Sequence, residues 1–107
     1  MIYLASPYSD PDPKVMEQRF DAVCRKAGEL MKDGLVVYSP IIHNHPIATR
    51  CDLPRGWDFW KRFDLFMLPL ASKLYILRLP GWDKSIGVKA ERETAEALRT
   101  PTIEIDP

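Results

Sequence analysis

Residues 73–91 read KLYILRLPGWDKSIGVKAE. The first five, Lys73–Leu77, are mostly apolar and predict a short strand, and the Pro80-Gly81 pair marks the loop that follows it. From Ile86 the apolar residues take helical spacing, which predicts a helix that ends at Leu98. A strand followed by a loop and an amphipathic helix is typical of βαβ units, so this segment predicts a parallel sheet.

The same alternation extends over the rest of the chain. Further strands are predicted at Ile2–Ala5, Leu35–Tyr38 and Thr102–Ile105, and further helices at Pro13–Gly34 and Trp57–Pro69. The segment Ile41–Arg55, which contains both histidines, is predicted as an irregular loop. These elements predict one domain over residues 1–107. We expect a three-layer α/β/α sandwich with a Rossmann-like or flavodoxin-like parallel sheet of four or five strands, in the order 2-1-3-4.

The composition excludes several classes of protein. The chain has 15 basic and 15 acidic residues, so it lacks the excess of positive charge that binds nucleic acid or acidic membranes. No apolar run approaches the roughly 20 residues that span a bilayer, and the N-terminus lacks the features of a signal peptide. Cys24 and Cys51 form neither a disulfide framework nor a CxxC metal motif. We expect a cytoplasmic protein with both thiols reduced.

The predicted topology also locates a ligand site. In open parallel sheets, ligands bind outside the carboxyl ends of the strands, where the strand order reverses. In the order 2-1-3-4, that crevice lies between the loops that follow the first and third strands. These loops are Ser6–Ser9 and Pro80–Ser85.

Two of the fifteen acids fall on the inward face of a predicted helix rather than on its solvent face. Glu91 and Asp64 each lie on an apolar stripe at helical spacing. The stripes are formed by Val88, Ala95 and Leu98 in one helix and by Trp60, Met67 and Ala71 in the other. A buried carboxylate costs several kcal/mol unless it is paired or neutralised, so each acid needs an explanation.

One explanation is a structural ion pair, of Asp64 with Lys61 or Arg62 and of Glu91 with Arg92 of a neighbouring copy. The other is a functional pair at the predicted crevice, which both helices flank, and we favour it. The helix N-terminus near Glu91 favours its anion, whereas the apolar surroundings of Asp64 favour protonation. An anionic nucleophile beside a proton donor is the arrangement that breaks glycosidic bonds.

Three segments together resemble the nucleoside 2-deoxyribosyltransferase-like superfamily, and within it nucleotide N-glycosidases. They are the run Ile2-Tyr-Leu-Ala-Ser-Pro-Tyr-Ser9, the helix that carries Asp64 before Ala71 and an apolar strand, and Ser85-Ile-Gly-Val-Lys-Ala-Glu91. The resemblance covers nearly the whole chain. Its most specific part is the pattern Ser-x-Gly-Val-x-x-Glu.

The resemblance implies a role for each matching residue. Glu91 is the implied nucleophile at the anomeric carbon, Asp64 positions and protonates the base, and Tyr8 orients the glutamate. A serine at position 85 favours nucleoside monophosphates over free nucleosides. No metal or organic cofactor is implied. The implied contacts to the sugar or its 5′-phosphate are Ser6, Pro7, Ser9, Ser85 and Gly87.

The two histidines have three possible interpretations. His43 and His45 alternate along an extended backbone, and with Cys51 or Asp52 they could bind a metal, line the substrate pocket or form ordinary loop hydrogen bonds. No third ligand has convincing metal spacing. We assign His43 to substrate binding.

The loop after the third strand offers Trp82 to stack on a base and Lys84 to contact a phosphate, and the alternative is that Trp82 only covers the core.

The aromatic residues near the second predicted helix are too many for one buried face, which predicts a homodimer or larger assembly through that helix. They are Trp57, Phe59, Trp60, Phe63 and Phe66. The nearby basic residues are interpreted as solvated rather than as a phosphate site. They are Arg50, Arg55, Lys61 and Arg62.

These features predict an enzyme that cleaves the N-glycosidic bond of a nucleotide or nucleoside, as a hydrolase or a deoxyribosyltransferase. The proposed chemistry needs no cofactor, because two carboxyl groups supply the nucleophile and the proton. The alternative is a catalytically silent nucleotide-binding module, because Lys89 places a cation near the nucleophile. A purely structural subunit is a third possibility, and it predicts no protection by ligands against unfolding.

Overall fold

Four parallel strands form one sheet, and helices pack on both of its faces. In this computed structural model, which describes residues 1–107, the strand order is β2-β1-β3-β4, as the sequence predicts. The elements in chain order are β1 (Ile2–Ala5), α1 (Pro13–Lys32), β2 (Val37–Tyr38), α2 (Pro40–Cys51), α3 (Trp57–Met67), β3 (Lys73–Leu77), α4 (Ile86–Ala97) and β4 (Thr102–Ile105). Short 3-10 helices at Leu68–Leu70 and Trp82–Lys84 complete the chain.

The core has two halves because successive strand residues point to opposite faces of the sheet. On one face, Tyr3 of β1 packs in a cluster with Val88 of α4. On the other face, Leu4 packs in a cluster with Val23 of α1 and Ile41 of α2. All five side chains are buried. The two central strands are therefore covered on both sides, which is the three-layer sandwich.

The first helix begins where the sequence predicts and ends two residues before the predicted stop at Gly34. The side chain of Asp12 accepts a hydrogen bond from the backbone N–H of Lys14, and Pro13 occupies the first turn, where its missing N–H is not needed. Helical geometry ends at Lys32. Gly34 then adopts a φ of +88°, a left-handed conformation that glycine reaches without steric cost.

The predicted loop over Ile41–Arg55 is wrong, because most of it forms α2. The hydroxyl of Ser39 accepts a hydrogen bond from the N–H of Ile42, and Pro40 opens the helix. This is the same cap-plus-proline signature that marks α1. Pro46 lies inside α2, where it lacks the backbone N–H that would donate a hydrogen bond within the helix. Proline is more typical of a helix end than of a helix interior.

Three element boundaries also differ from the prediction. β2 contains only Val37–Tyr38, and Val36 is 71% exposed, because this edge strand has a single neighbour. α3 ends at Met67 and continues as a 3-10 turn. α4 ends at Ala97, so Leu98 is 46% exposed and does not belong to the inward stripe. None of the helices combines the length and the apolar character needed to cross a membrane.

Candidate active site

A cavity of about 460 Å³ opens at the carboxyl ends of β1 and β3. Its lining comes from the loop Ser6–Ser9, from α2 and α3, and from the segment that leads into α4. This is the predicted crevice at the point where the strand order reverses. The volume is within the range of roughly 300 to 1,000 Å³ that small-molecule sites occupy.

Glu91 is one of the buried residues in the cavity wall. Its position on the inward face of α4, between Val88 and Ala95, leaves it 3% exposed. The phenol of Tyr3, which is fully buried in β1, donates a short hydrogen bond to Glu91 Oε2. A strand residue of the core therefore fixes the orientation of this carboxyl group.

Asp64 lies in the same cavity on the inward face of α3. It is 8% exposed, and its Oδ1 accepts a hydrogen bond of 3.3 Å from Asn44 Nδ2 of α2. Asp64 and Glu91 are close enough for the charge of Asp64 to raise the pKa of Glu91. The structure thus brings together the two acids that the sequence singles out.

Neither acid forms a salt bridge, so the alternative of structural ion pairs within the chain is not observed. Lys61 is instead 3.8 Å from Asp58, and Arg92 is 2.6 Å from Glu104. Arg62 lies over the ring of Phe63, with 4.8 Å between its guanidinium carbon and the ring centre. The two buried acids therefore remain without a cationic partner.

Burial governs the protonation of both acids. It raises the pKa of Asp64 to about 7, against which the hydrogen bond from Asn44 acts. It raises the pKa of Glu91 to about 8, with a further increase from Asp64 and an opposing effect of the Tyr3 hydrogen bond. Burial raises both pKa values, so the surroundings of Glu91 do not favour the ionised form that its place near a helix N-terminus predicts. Which of the two acids holds a shared proton stays a prediction.

The contact predicted between Tyr8 and the glutamate is made by Tyr3 instead. Tyr8 lines the cavity, but its hydroxyl lies 2.5 Å from Nδ1 of His45. The loop after β1 directs Tyr8 toward α2, whereas Tyr3 in the strand points to α4. The sequence shows a tyrosine at both positions, and only strand alternation in the folded sheet distinguishes their directions.

The three predicted serines line the cavity with different hydrogen-bond partners. Ser6 is 6% exposed, and its hydroxyl has no partner in the protein. The hydroxyl of Ser9 donates to the carbonyl of Arg55 at 2.6 Å. The hydroxyl of Ser85 accepts from the N–H of Val88 at 3.2 Å, which caps α4. Of the three hydroxyls, only that of Ser6 lacks a hydrogen-bond partner within the chain.

Two further predicted contacts, Pro7 and Gly87, also line the cavity. A side chain at position 87 would place its Cβ 3.2 Å from the ring of Trp57, another lining residue. Glycine therefore permits the close approach of α4 to Trp57.

Two predicted ligand contacts lie outside the cavity lining. His43 is exposed on α2, with Nδ1 2.9 Å from Oδ1 of Asn44. Trp82 is partly buried against the core cluster that contains Tyr3, as the alternative that it only covers the core predicts. Lys84, in the same short helix as Trp82, does line the cavity.

The histidines do not form a metal site with their neighbours. No group of three His, Cys, Asp or Glu side chains in the chain is arranged to hold a metal ion. His45 instead lines the cavity and bonds to Tyr8 and Glu17, whereas His43 turns to the other side of the helix.

Several lining residues are not predicted from the sequence, because residues 41–55 are predicted as a loop. Once residues 40–51 are placed on a helix, Ile41, His45 and Ala48 fall at helical spacing on one buried face. The Ser39-Pro40 pair is the signal that would have revealed this helix.

Arg19 was also not predicted as a site residue. Its guanidinium donates to the carbonyls of Tyr8, at 3.2 Å, and Ser9, at 3.0 Å, in one loop. It also donates to the carbonyl of Pro80 in the other loop, at 3.2 Å. This side chain from α1 therefore links the two loops of the cavity.

The cavity combines buried acids with more exposed cations. Asp64 and Glu91 are buried, whereas the lining cations Arg19 and Arg55 are partly exposed and Lys84 is exposed. Arg55 was interpreted as a solvated residue, yet its Nε is buried and has no hydrogen-bond partner. This distribution suits a ligand with an anionic group near the opening and a reactive centre near the acids.

The parallel sheet and this cavity define an α/β protein with a two-carboxyl ligand site at its topological switch point. The chain belongs to the family described as Domain of unknown function (DUF1937), which matches residues 1–106. No curated protein matches the chain.

Proposed function

We propose that the protein cleaves the N-glycosidic bond of a nucleotide or nucleoside, with a nucleoside monophosphate as the preferred substrate class. The observation that carries the proposal is the pair of buried carboxyl groups, Asp64 and Glu91, in one ligand-sized cavity without a cationic partner. The lining cations Arg55 and Lys84, neither of which forms a salt bridge, support a phosphate-bearing ligand.

The chemistry requires one proton on the pair of acids. A carboxylate oxygen of Glu91 forms a bond to the anomeric carbon as the bond from that carbon to the base nitrogen breaks. The departing nitrogen keeps the electron pair and takes a proton from Asp64. Water then displaces Glu91 in hydrolysis, or a second base does so in transfer. With pKa values of about 7 and 8, the two acids share one proton near neutral pH.

The reactive form is the one in which Glu91 is ionised and Asp64 is protonated. Positive charge that develops on the sugar beside Glu91 stabilises its anion, so this form becomes more favourable in the transition state.

The direct test is release of free base from a panel of nucleoside monophosphates and nucleosides, followed by chromatography. Glu91→Gln should lower the rate at least about 1,000-fold, because it removes the nucleophile without changing the shape of the side chain. Glu93→Gln, at an exposed position of the same helix, is the matched control. A Glu91→Gln protein with the wild-type rate would contradict the proposal.

The raised pKa of Glu91 also favours a second candidate, a nucleotide-binding module without catalysis, because a protonated carboxyl group is not a nucleophile. In that case a nucleotide should raise the melting temperature of the protein and be recovered intact after long incubation. A glycosyl adduct on Glu91, detected by mass spectrometry, would exclude this candidate.

We further propose that the aromatic face of α3 joins two copies of the chain. Trp60 is buried and Trp57 lines the cavity, but Phe66 is 74% exposed and Phe63 is 40% exposed. Phe66→Asp should convert a dimer into a monomer in light scattering after size-exclusion chromatography. A wild-type protein that is already monomeric at high concentration would contradict this part.

The two cysteines, one partly buried and one exposed, are both free thiols. Free thiols support the cytoplasmic location that we propose, because reducing compartments maintain them.

A further inference from the structure

On the side of the cavity formed by α1 and α2, three side chains form a continuous hydrogen-bonded chain. The hydroxyl of Tyr8 is 2.5 Å from Nδ1 of His45, and Nε2 of His45 is 2.7 Å from a carboxyl oxygen of Glu17. Tyr8 lines the cavity, His45 is 7% exposed, and the Glu17 side chain is 57% exposed. The chain thus leads from the cavity to the protein surface.

The hydrogen-bonding chemistry of the three groups sets the direction of this chain. A carboxylate such as that of Glu17 only accepts hydrogen bonds, so Nε2 of His45 is the donor. In the neutral imidazole, Nδ1 is then an acceptor, and it receives the hydroxyl proton of Tyr8. The lone pairs of the Tyr8 oxygen remain available to accept a proton from a molecule in the cavity.

The histidine ring and the tyrosine are both held in place. His45 stacks on Phe20, with ring centres 4.4 Å apart, and meets Tyr8 edge-on at 5.4 Å. The backbone carbonyl of Tyr8 accepts a hydrogen bond from Arg19. An acid, a histidine and a hydroxyl in this order have the roles of the three groups in a catalytic triad, in which histidine takes the hydroxyl proton.

We propose that Glu17, His45 and Tyr8 form a proton relay. In this relay, Tyr8 is the general base that takes a proton from the attacking water. This inference rests on the proposed function, because it concerns the second half of that reaction. It assigns to this side of the cavity a task that neither Asp64 nor Glu91 has to perform.

The water oxygen forms a bond to the anomeric carbon while the bond from that carbon to Glu91 breaks, and Glu91 leaves as a carboxylate. The water proton passes to the Tyr8 oxygen as the Tyr8 proton passes to Nδ1 of His45. The imidazolium is stabilised by Glu17 and releases its extra proton to solvent, while Asp64 regains from solvent the proton that it gave to the base.

The surroundings of Tyr8 explain why it needs the histidine. Burial raises the pKa of the Tyr8 phenol, while Arg55 lowers it and Glu17 raises it less strongly. The phenol therefore stays protonated by itself, and it can take a proton only if it passes its own to His45 at the same time.

The experiment separates release of the base from turnover, with the best substrate of the panel. Tyr8→Phe, His45→Gln and Glu17→Gln should each release about one equivalent of base rapidly. Steady turnover should then fall by roughly 100-fold for the first two, in the range expected for loss of a general base, and less for Glu17→Gln. Intact-mass spectrometry should show the glycosyl adduct on Glu91 in these variants. The matched controls are Tyr75→Phe, whose hydroxyl forms no hydrogen bond, and the exposed Glu29→Gln.

Sodium azide distinguishes loss of the general base from displacement of the loop that carries Tyr8. Azide is an anionic nucleophile that needs no deprotonation, so it should restore turnover in Tyr8→Phe and His45→Gln and give a glycosyl azide. Tyr8→Phe keeps the ring, and Glu17→Gln changes an exposed side chain, so folding of these two is checked by their melting temperatures.

Four results would overturn the relay. If wild-type protein turns over and the three variants do so at the same rate, the relay is wrong and the proposed function stands. The same holds if the variants lose the initial release of base as strongly as turnover, or if azide restores nothing. If wild-type protein releases no base from any member of the panel, the proposed function fails and the relay fails with it.

Discussion

The two sides of the cavity differ in how their polar groups are satisfied. The α3–α4 wall holds Asp64 and Glu91, which are buried, lack a cationic partner and have raised pKa values. The α1–α2 wall holds Tyr8 and His45, which are joined to each other, and Arg19, which bonds to three backbone carbonyls.

The difference between the two walls separates groups that can react from groups that hold other parts of the site in position. Buried acids without cationic partners are unfavourable for folding, and the same unfavourable burial makes them able to exchange a proton near neutral pH. Groups with complete hydrogen bonds hold the loops and orient side chains. Substitutions should therefore act in opposite directions on the two walls: loss of an acid should lower activity and raise stability, and loss of a partnered group should lower stability.

The largest effect is expected for activity and its pH dependence. Wild-type turnover should peak between about pH 7 and 8, because both acids are protonated below this range and both are ionised above it. Asp64→Asn should lower kcat by roughly 100-fold to 1,000-fold and remove the alkaline fall, since the proton donor whose ionisation causes that fall is gone. The measurement is the rate of base release between pH 5 and 10.

Asp58→Asn is the control for Asp64→Asn, because the Asp58 side chain is fully exposed on the same helix. It should keep both the wild-type rate and the wild-type pH profile. A wild-type rate that rises to a plateau above pH 9 would show that no protonated acid is needed.

The next effect is on stability. The pKa of Glu91 is raised on folding, so the folded protein holds a proton that the unfolded chain releases, and the stability contributed by this group falls as the pH rises from about 4 to about 8. Glu91→Gln, which cannot ionise, should therefore raise the free energy of unfolding by up to about 4 to 5 kcal/mol at pH 8.5. The gain should shrink toward pH 5, as measured by urea denaturation at each pH.

Glu17→Gln on the other wall sharpens this comparison. It removes an exposed carboxylate that is bonded to His45, so it should lower stability slightly at both pH values rather than raise it. If Glu91→Gln and Glu17→Gln changed the free energy of unfolding equally at both pH values, the two walls would not differ in how they affect stability.

The smallest effect is expected where Arg19 links the two loops. Gly81 has a φ of +92°, and a Cβ there would lie 2.9 Å from Nη2 of Arg19. Gly81→Ala should therefore destabilise the protein by about 1 to 2 kcal/mol through the left-handed backbone, with an added loss of the bond to Pro80. Thermal unfolding monitored by circular dichroism measures this change.

Gly28→Ala is the matched control for Gly81→Ala. It lies within α1, and a Cβ there would meet nothing within 4 Å. Alanine should stabilise the helix there by about 0.5 to 1 kcal/mol. If both alanine variants changed the stability in the same direction, the strain assigned to Gly81 would be incorrect.

The fold and the two acids were predictable because each depends on a short-range pattern. Apolar runs at strand spacing, the Asp12-Pro13 cap and the glycine after α1 are local signals, and the structure confirms the strand order that they imply. The inward positions of Glu91 and Asp64 also follow from helical spacing alone.

Other parts of the site could not be read in this way. Residues 41–55 are predicted as a loop, so Asn44 and His45 are not predicted on the cavity wall, although both line it. His43 is the predicted ligand contact, but helical geometry turns it away from the cavity and brings His45 into it.

The sequence by itself determined the order of the elements, the parallel sheet and which two carboxyl groups face inward, because periodicity and caps act within one helix or strand. Only the tertiary structure decided that Tyr3 rather than Tyr8 holds Glu91, that Arg19 links two loops, and that burial raises the pKa of both acids. These properties depend on contacts between residues distant in the chain and on how far each group is removed from water. Neither quantity is encoded in local spacing.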